Sequence, residues 1–193
     1  AHGLIFIATS GPKNELHGLD DSTGKTLWSV ALPAQALGSP SVSGGKLFIA
    51  LAGQSADEAR IACRKITDGS AIWECGVDKA PATHLAVSGE HLAFTAADGT
   101  VLAVSTTKGE QTHTVLLGKG GKAPAIYQNV LLLCAENRIG AFDLTTSSWQ
   151  WAYRNQKLAG RALADPILAG EAVWVSTEKQ GLIAIGGKKE EKK

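Results

Sequence analysis

The sequence predicts an all-β protein built from repeated four-stranded antiparallel units. Three observations lead there. A phrase recurs about every 40 residues, the period of a stacked repeat. It reads Gly18-x-Asp20-x-x-x-Gly24-x-x-x-Trp28, Cys63-x-Lys65-x-x-x-Gly69-x-x-x-Trp73, Ala103-x-Ser105-x-x-x-Gly109-x-x-x-His113 and Ala141-x-Asp143-x-x-x-Ser147-x-x-x-Trp151, with a fifth start at Ala184-x-Gly186. A second set of turns keeps the same period: Ser43-Gly44-Gly45, Ser88-Gly89-Glu90, Tyr127-Gln128-Asn129 and Ala169-Gly170-Glu171. Each is followed by an apolar run such as Leu47-Phe48-Ile49 or Leu131-Leu132-Leu133. Finally, no stretch of about a dozen residues carries helical periodicity without a Gly or Pro interruption.

Taken in order, the repeats divide the chain into units of four strands, a to d. In the second unit, strand a spans 39–43, b 46–52, c 60–67 and d 70–77. The third unit runs over 83–117 and the fourth over 123–154. Leu4-Ile5-Phe6-Ile7 aligns with strand b, so the first unit lacks strand a; Gly181 to Ile185 aligns with strand c, so the last lacks strand d. Four antiparallel strands per repeat of about 40 residues describe a β-propeller blade. The expected layout within 1–186 is a partial blade at 4–37, complete blades at 38–80, 81–120 and 121–160, and a partial blade at 161–186. Residues 187–193 form a charged tail expected to be disordered. An arc of this kind leaves sheet edges unpaired. It is expected to be completed by further blades of its own chain or by a second copy.

The phrase spans the turn between strands c and d. Asp20 and Asp143 stand where a short carboxylate accepts hydrogen bonds from the turn's own backbone. Gly24, Gly69 and Gly109 supply a positive φ. Trp28, Trp73 and Trp151 lie four residues further on, where an indole wedges between neighbouring blades; burying so large an aromatic contributes roughly 2–3 kcal/mol. These eight residues are read as structural docking residues.

Composition narrows the function. The chain has 193 residues, with 19 basic and 18 acidic side chains. That balance gives no electrostatic case for nucleic acid or an anionic membrane. No apolar run reaches the length of a membrane span. Methionine is absent and the sequence begins at Ala1, which points to a processed or truncated N-terminus. The cysteines are Cys63, Cys75 and Cys134. If Lys65 pairs with Ser70, Cys63 stands opposite Ile72 and Cys75 three positions on, so the two sulfurs face opposite sides and no disulfide is expected.

The phrase, best copied from Leu16 to Trp28, resembles the tryptophan-docking motif of quinoprotein-type propellers, the PQQ-like repeat family. The resemblance covers nearly all of residues 4–186 and implies a ring of about eight blades. The family includes PQQ-dependent alcohol dehydrogenases and the scaffold lipoprotein of outer-membrane barrel assembly, so the resemblance implies a periplasmic or secreted bacterial protein. Lys65 and Ser105 replace the motif's aspartate, His113 its tryptophan and Ser147 its glycine.

Chemistry is sparse. The quinone-dependent members hold PQQ with a calcium ion and typically a vicinal disulfide, and no Cys-Cys pair occurs here. The polar candidates, Glu136, Asn137, Arg138, Arg161 and Asp165, form no recognisable cluster. The five histidines are scattered, and zinc needs clustered ligands. Gly118 to Lys122 lacks the order of a phosphate loop and reads as an inter-blade linker. The loops Gly11 to Asn14 and Gly53 to Ala59 are the expected sites of protein contact. The expected function is a non-catalytic protein-interaction scaffold or ligand-sensing module without a cofactor in this segment. The alternative is part of a PQQ- and calcium-dependent dehydrogenase whose active site lies in blades outside this sequence.

Overall fold

The computed structural model describes residues 3–136, 138–154, 161–170 and 172–186. Among them there is no helix, and eighteen strands form five antiparallel sheets. Unit 1 holds β1 (Leu4–Thr9), β2 (Glu15–Asp20) and β3 (Thr26–Ala31). Unit 2 holds β4 (Ser41–Ser43), β5 (Lys46–Ala52), β6 (Ala59–Lys65) and β7 (Ala71–Val77). Unit 3 holds β8 (Ala86–Ser88), β9 (His91–Thr95), β10 (Thr100–Ser105) and β11 (Gln111–Leu116). Unit 4 holds β12 (Ala125–Tyr127), β13 (Val130–Ala135), β14 (Arg138–Asp143) and β15 (Ser148–Arg154). Unit 5 holds β16 (Ile167–Ala169), β17 (Ala172–Thr177) and β18 (Gly181–Gly186). Three sheets therefore have four strands in sequential order and the two outer ones have three.

The short first strands lie side by side, β4 against β8, β8 against β12 and β12 against β16. They form the inner edge of the arc, and the last strand of each unit forms its outer edge. Burial follows from that placement. The b strands are apolar on both faces: Leu47, Phe48, Ile49 and Leu51 are all fully buried. The outer strand β7 instead alternates, with Ile72 exposed and Val77 buried.

One apolar cluster fills each junction. Leu16, Phe6 and Val30 of unit 1 meet Leu47, Ile49 and Ala62 of unit 2. Phe48, Ile61 and Cys63 meet Leu92, Phe94 and Val104 of unit 3. Ala93, Ala103 and Val115 meet Leu131, Leu133 and Phe142 of unit 4. Leu132, Cys134 and Trp151 meet Val173, Val175 and Ile183 of unit 5. Alternate residues of one strand thus serve successive junctions, as the period of two requires. Unit 1 shows its other face to solvent through Ile5 and Ile7, and unit 5 through Trp174 and Leu182.

The register corrects one expectation. Lys65 N–H does bond Ser70 C=O, at 2.9 Å. A β-bulge then skips Ile72, so Cys63 stands opposite Trp73 and Cys75 opposite Ile61. The extra residue restores the alternation, and the two sulfurs share one face instead of opposing faces. They are diagonal neighbours, further apart than a disulfide spans. All three cysteines are free thiols.

The charged tail 187–193 and the segment 155–160 lie outside the described residues.

Candidate functional site

The c–d turns are built alike from different side chains. The glycine N–H bonds the carbonyl four residues back in each: Gly24 to Asp20 at 2.8 Å, Gly69 to Lys65 at 3.0 Å and Gly109 to Ser105 at 2.9 Å. Their φ values are +69°, +71° and +68°, the left-handed region open to glycine. Asp20 Oδ1 accepts from the backbone N–H groups and hydroxyls of Ser22 and Thr23, at 2.6–3.1 Å. Those hydroxyls and amides hold its carboxyl down at about 2. Asp143 Oδ1 accepts from Thr145 and Thr146 N–H, and its Oδ2 from the Gln150 amide. Where the aspartate is missing, another side chain holds the turn, a neighbour in unit 2 and the replacing serine itself in unit 3. Asp68 accepts Ser70 N–H at 2.9 Å, and Ser105 Oγ accepts Lys108 N–H at 3.2 Å.

The turns of units 2 and 3 each receive the ring of the preceding unit. Trp28 Nε1 donates to Ile66 C=O and Trp73 Nε1 to Thr106 C=O, both at 3.1 Å. A Cβ on Gly69 would meet the Trp28 ring at 2.7 Å, and one on Gly109 the Trp73 ring at 2.6 Å. At the next junction His113 Nε2 lies 3.1 Å from Ser147 Oγ, and Ser147 keeps the glycine conformation at φ +54°. Trp151 packs in the junction to unit 5, and the turn that would follow it lies outside the described residues. A bulge precedes every docking ring: Leu27, Ile72, Thr112 and Gln150 are skipped in the c–d pairing. That one-residue slip turns the ring across the first position of the phrase, which is Gly18, Cys63, Ala103 or Ala141.

Sequence reasoning missed two supports. Arg64 is buried, bonds Glu74 at 3.1 Å and donates to Gly69 C=O at 3.4 Å, bracing the turn that Trp28 rests on. Trp149 lies over Gly140, where a Cβ would meet it at 2.6 Å, and takes the Arg138 guanidinium 4.1 Å above its ring. Trp149 stands outside the repeated phrase; a second tryptophan two residues before Trp151 was the available signal.

The remaining polar candidates are dispersed. Glu136 and Arg161 line a cavity of about 310 Å³ with Lys122 between units 4 and 5. Asp165 accepts Ala123 N–H at 2.8 Å and lies 3.8 Å from His84 Nδ1. Asn137 lies outside the described residues. Gly118 to Lys122 connects β11 to β12. The loop after β5 closes through Gly53 N–H to Glu58 C=O at 3.1 Å and Ala80 N–H to Asp57 C=O at 2.6 Å. It borders a cavity of about 590 Å³ lined by Gln54, Glu58, Arg60 and Asp78.

Residues 1–190 match the model of a family described as outer membrane protein assembly factor BamB. The chain belongs to that family. It is similar to the crystal structure of BamB from Moraxella catarrhalis, with a TM-score of 0.74 and 18% identity over 95% of this chain and 55% of that one. The chain thus spans about half the length of the BamB structure it matches. Two computationally designed proteins share the fold. Ika8 has a TM-score of 0.72 and 15% identity over 95% of this chain and 55% of its own. Ika4 has 0.65 and 16% over 85% and 99%. No curated protein matches the chain.

The BamB-family fold carries the PQQ-like repeat, so the residues can be tested against PQQ with calcium. Calcium takes six to eight oxygens. Asp20 and Asp143 are engaged in their own turns, Asp98 holds Lys79 at 2.6 Å, and no group of three His, Cys, Asp or Glu side chains among the described residues could hold a metal ion. The donor set described here does not fit the ion. Nor is any described helix long and apolar enough to cross a membrane.

Proposed function

We propose that this chain is a non-catalytic propeller segment that serves as a protein-interaction scaffold or ligand-sensing module in the periplasm or a secreted setting. The observation that carries this reading is where the repeated side chains point. Asp20 and Asp143 hold turns, and Trp28 and Trp73 close junctions onto the next unit's carbonyls. The phrase builds a frame and leaves the loops free to vary. Membership of an outer membrane assembly factor family supports protein partners and the periplasm. The rim loop of unit 2, with its bordering cavity, is the proposed contact region.

The frame is completed by further blades. A Cβ on Gly24 would meet nothing within 4 Å, whereas those on Gly69 and Gly109 would meet an indole. The Gly24 turn is therefore the platform for one more aromatic ring, supplied by other blades of the same chain or by a second copy.

The experiment is site-specific photo-crosslinking in cells making the full-length protein, with the probe at Gln54 on the rim or at Gln150 on the outer strand. The reading predicts a discrete crosslink to an outer membrane assembly component from Gln54 and none from Gln150. Calcium-dependent binding of PQQ by the full-length protein, with dye reduction, would replace it with the dehydrogenase alternative.

A further inference from the structure

We infer that the junction between units 3 and 4 is an acid-sensitive hinge, held by His91 and His113 where the two junctions before it are held by an indole. Both histidines lie on the face of unit 3 that meets unit 4: His113 pairs with Ala103, Ala103 with Ala93, and His91 stands two residues before Ala93. His91 Nε2 lies 3.1 Å from Asn129 Oδ1 and His113 Nε2 3.1 Å from Ser147 Oγ, so each ring spans the junction through Nε2. The facing Asn129 oxygen fixes the His91 proton on Nε2. The Nδ1 of both rings is buried without a hydrogen-bond partner.

Adding a proton to the His113 ring places a charge in the junction with no counter-ion and only the Leu144 carbonyl to oppose its cost. The residues of unit 4 that the rings meet are Asn129, Ser147, Leu144 and Phe142, and none ionises near neutrality. Asp143 beside them is held by Thr145, Thr146 and Gln150. Within unit 3, Glu90, Lys108 and Glu110 are exposed, and neither ring forms an ion pair among the described residues. The other described histidines differ in having a carboxylate nearby: His17 lies 3.7 Å from Glu15 and His84 3.8 Å from Asp165.

Burial and then the neighbouring His91 depress the His113 ring below its ordinary 6.5, against a smaller opposing pull from the Leu144 carbonyl. The neutral ring is thus favoured in the fold. Its contribution is whole above the ordinary histidine range and is lost as pH falls through the folded value. An uncompensated buried charge is costly, whereas an indole at the same place has no charge to gain.

The test is amide hydrogen exchange of the protein at about pH 7.5 and about pH 5, corrected for intrinsic rate, across the histidine range. The expected result is acceleration of about tenfold or more in β11 to β14, with β5 to β7 unchanged. His113→Trp combined with Ser147→Gly should remove that acceleration. Equal acceleration in all units, or none at this junction, would overturn the hinge, and wild-type exchange decides the matter if the double variant does not fold.

Discussion

Trp73 rests on Gly109 so closely that the glycine has no room for a methyl group: its Cβ would lie 2.6 Å from the indole. Gly69 stands in the same relation to Trp28, and Gly24, with the same φ, faces open space. The three glycines separate two costs. Gly24→Ala should lose only the left-handed backbone preference, roughly 1–2 kcal/mol. Gly69→Ala and Gly109→Ala should lose a further 1–3 kcal/mol or so from overpacking. Urea unfolding of the three variants checks the order; equal losses would show that the indoles do not bear on the turns.

Replacing Trp73 should divide its role between packing and hydrogen bonding. Trp73→Phe keeps most of the ring and removes the bond to Thr106 C=O, a loss of about 1 kcal/mol. Trp73→Ala should cost about 3–5 kcal/mol, the range for a large aromatic truncated in a core. Chemical denaturation of both variants gives the comparison.

His113 and Ser147 should behave as a coupled pair. An indole at 113 needs the space that the Ser147 side chain occupies, so His113→Trp alone should gain little or destabilise. With Ser147→Gly added, the ring can rest as Trp73 does on Gly109. The double-mutant cycle should return a favourable coupling of about 1–2 kcal/mol, typical of residues in contact. Additive effects would contradict the contact.

Acid should act on the turns through their aspartates. Asp20 is held at about 2 by the Ser22 and Thr23 hydroxyls and the Thr23 amide, below its ordinary 3.8. A depressed carboxyl supports the fold above its unfolded value and loses that support as pH falls through its folded value. Asp20→Asn should therefore destabilise near neutrality and have little effect near pH 2. The Asp20 carboxyl titration by NMR, with thermal melts of both proteins across that window, tests the sign.

The thiols should be unreactive in the native state. Burial pushes Cys63 up to about 11 and Cys134 to about 12, and it raises Cys75 less. Only a thiolate attacks a disulfide reagent. Labelling should follow unfolding, with Cys75 first; rapid native labelling of Cys63 or Cys134 would show that their junctions open.

The fold was legible because two turn types recur at one period, and the residues between them alternate as strands must. The family followed from the spacing of Asp20, Gly24 and Trp28. The bulges at Leu27, Ile72, Thr112 and Gln150 were not legible: a one-residue slip leaves composition and period unchanged and alters only which side chains share a face. The relation of Cys63 to Cys75 was misjudged for that reason. Arg64 and Trp149 escaped notice because each supports a single unit, and a repeat reveals only what units have in common. The histidine junction was visible as a departure from the phrase, but its buried Nδ1 atoms required coordinates.

The central claim is that indoles close the unit junctions by lying on the next turn and donating to its carbonyl. Exchange of the indole Nε1–H protons of Trp28 and Trp73, followed by NMR, tests it most directly. The account predicts that both exchange only through opening of the fold, slowed by orders of magnitude relative to a free indole. Exchange at the free-indole rate in the native protein would contradict it.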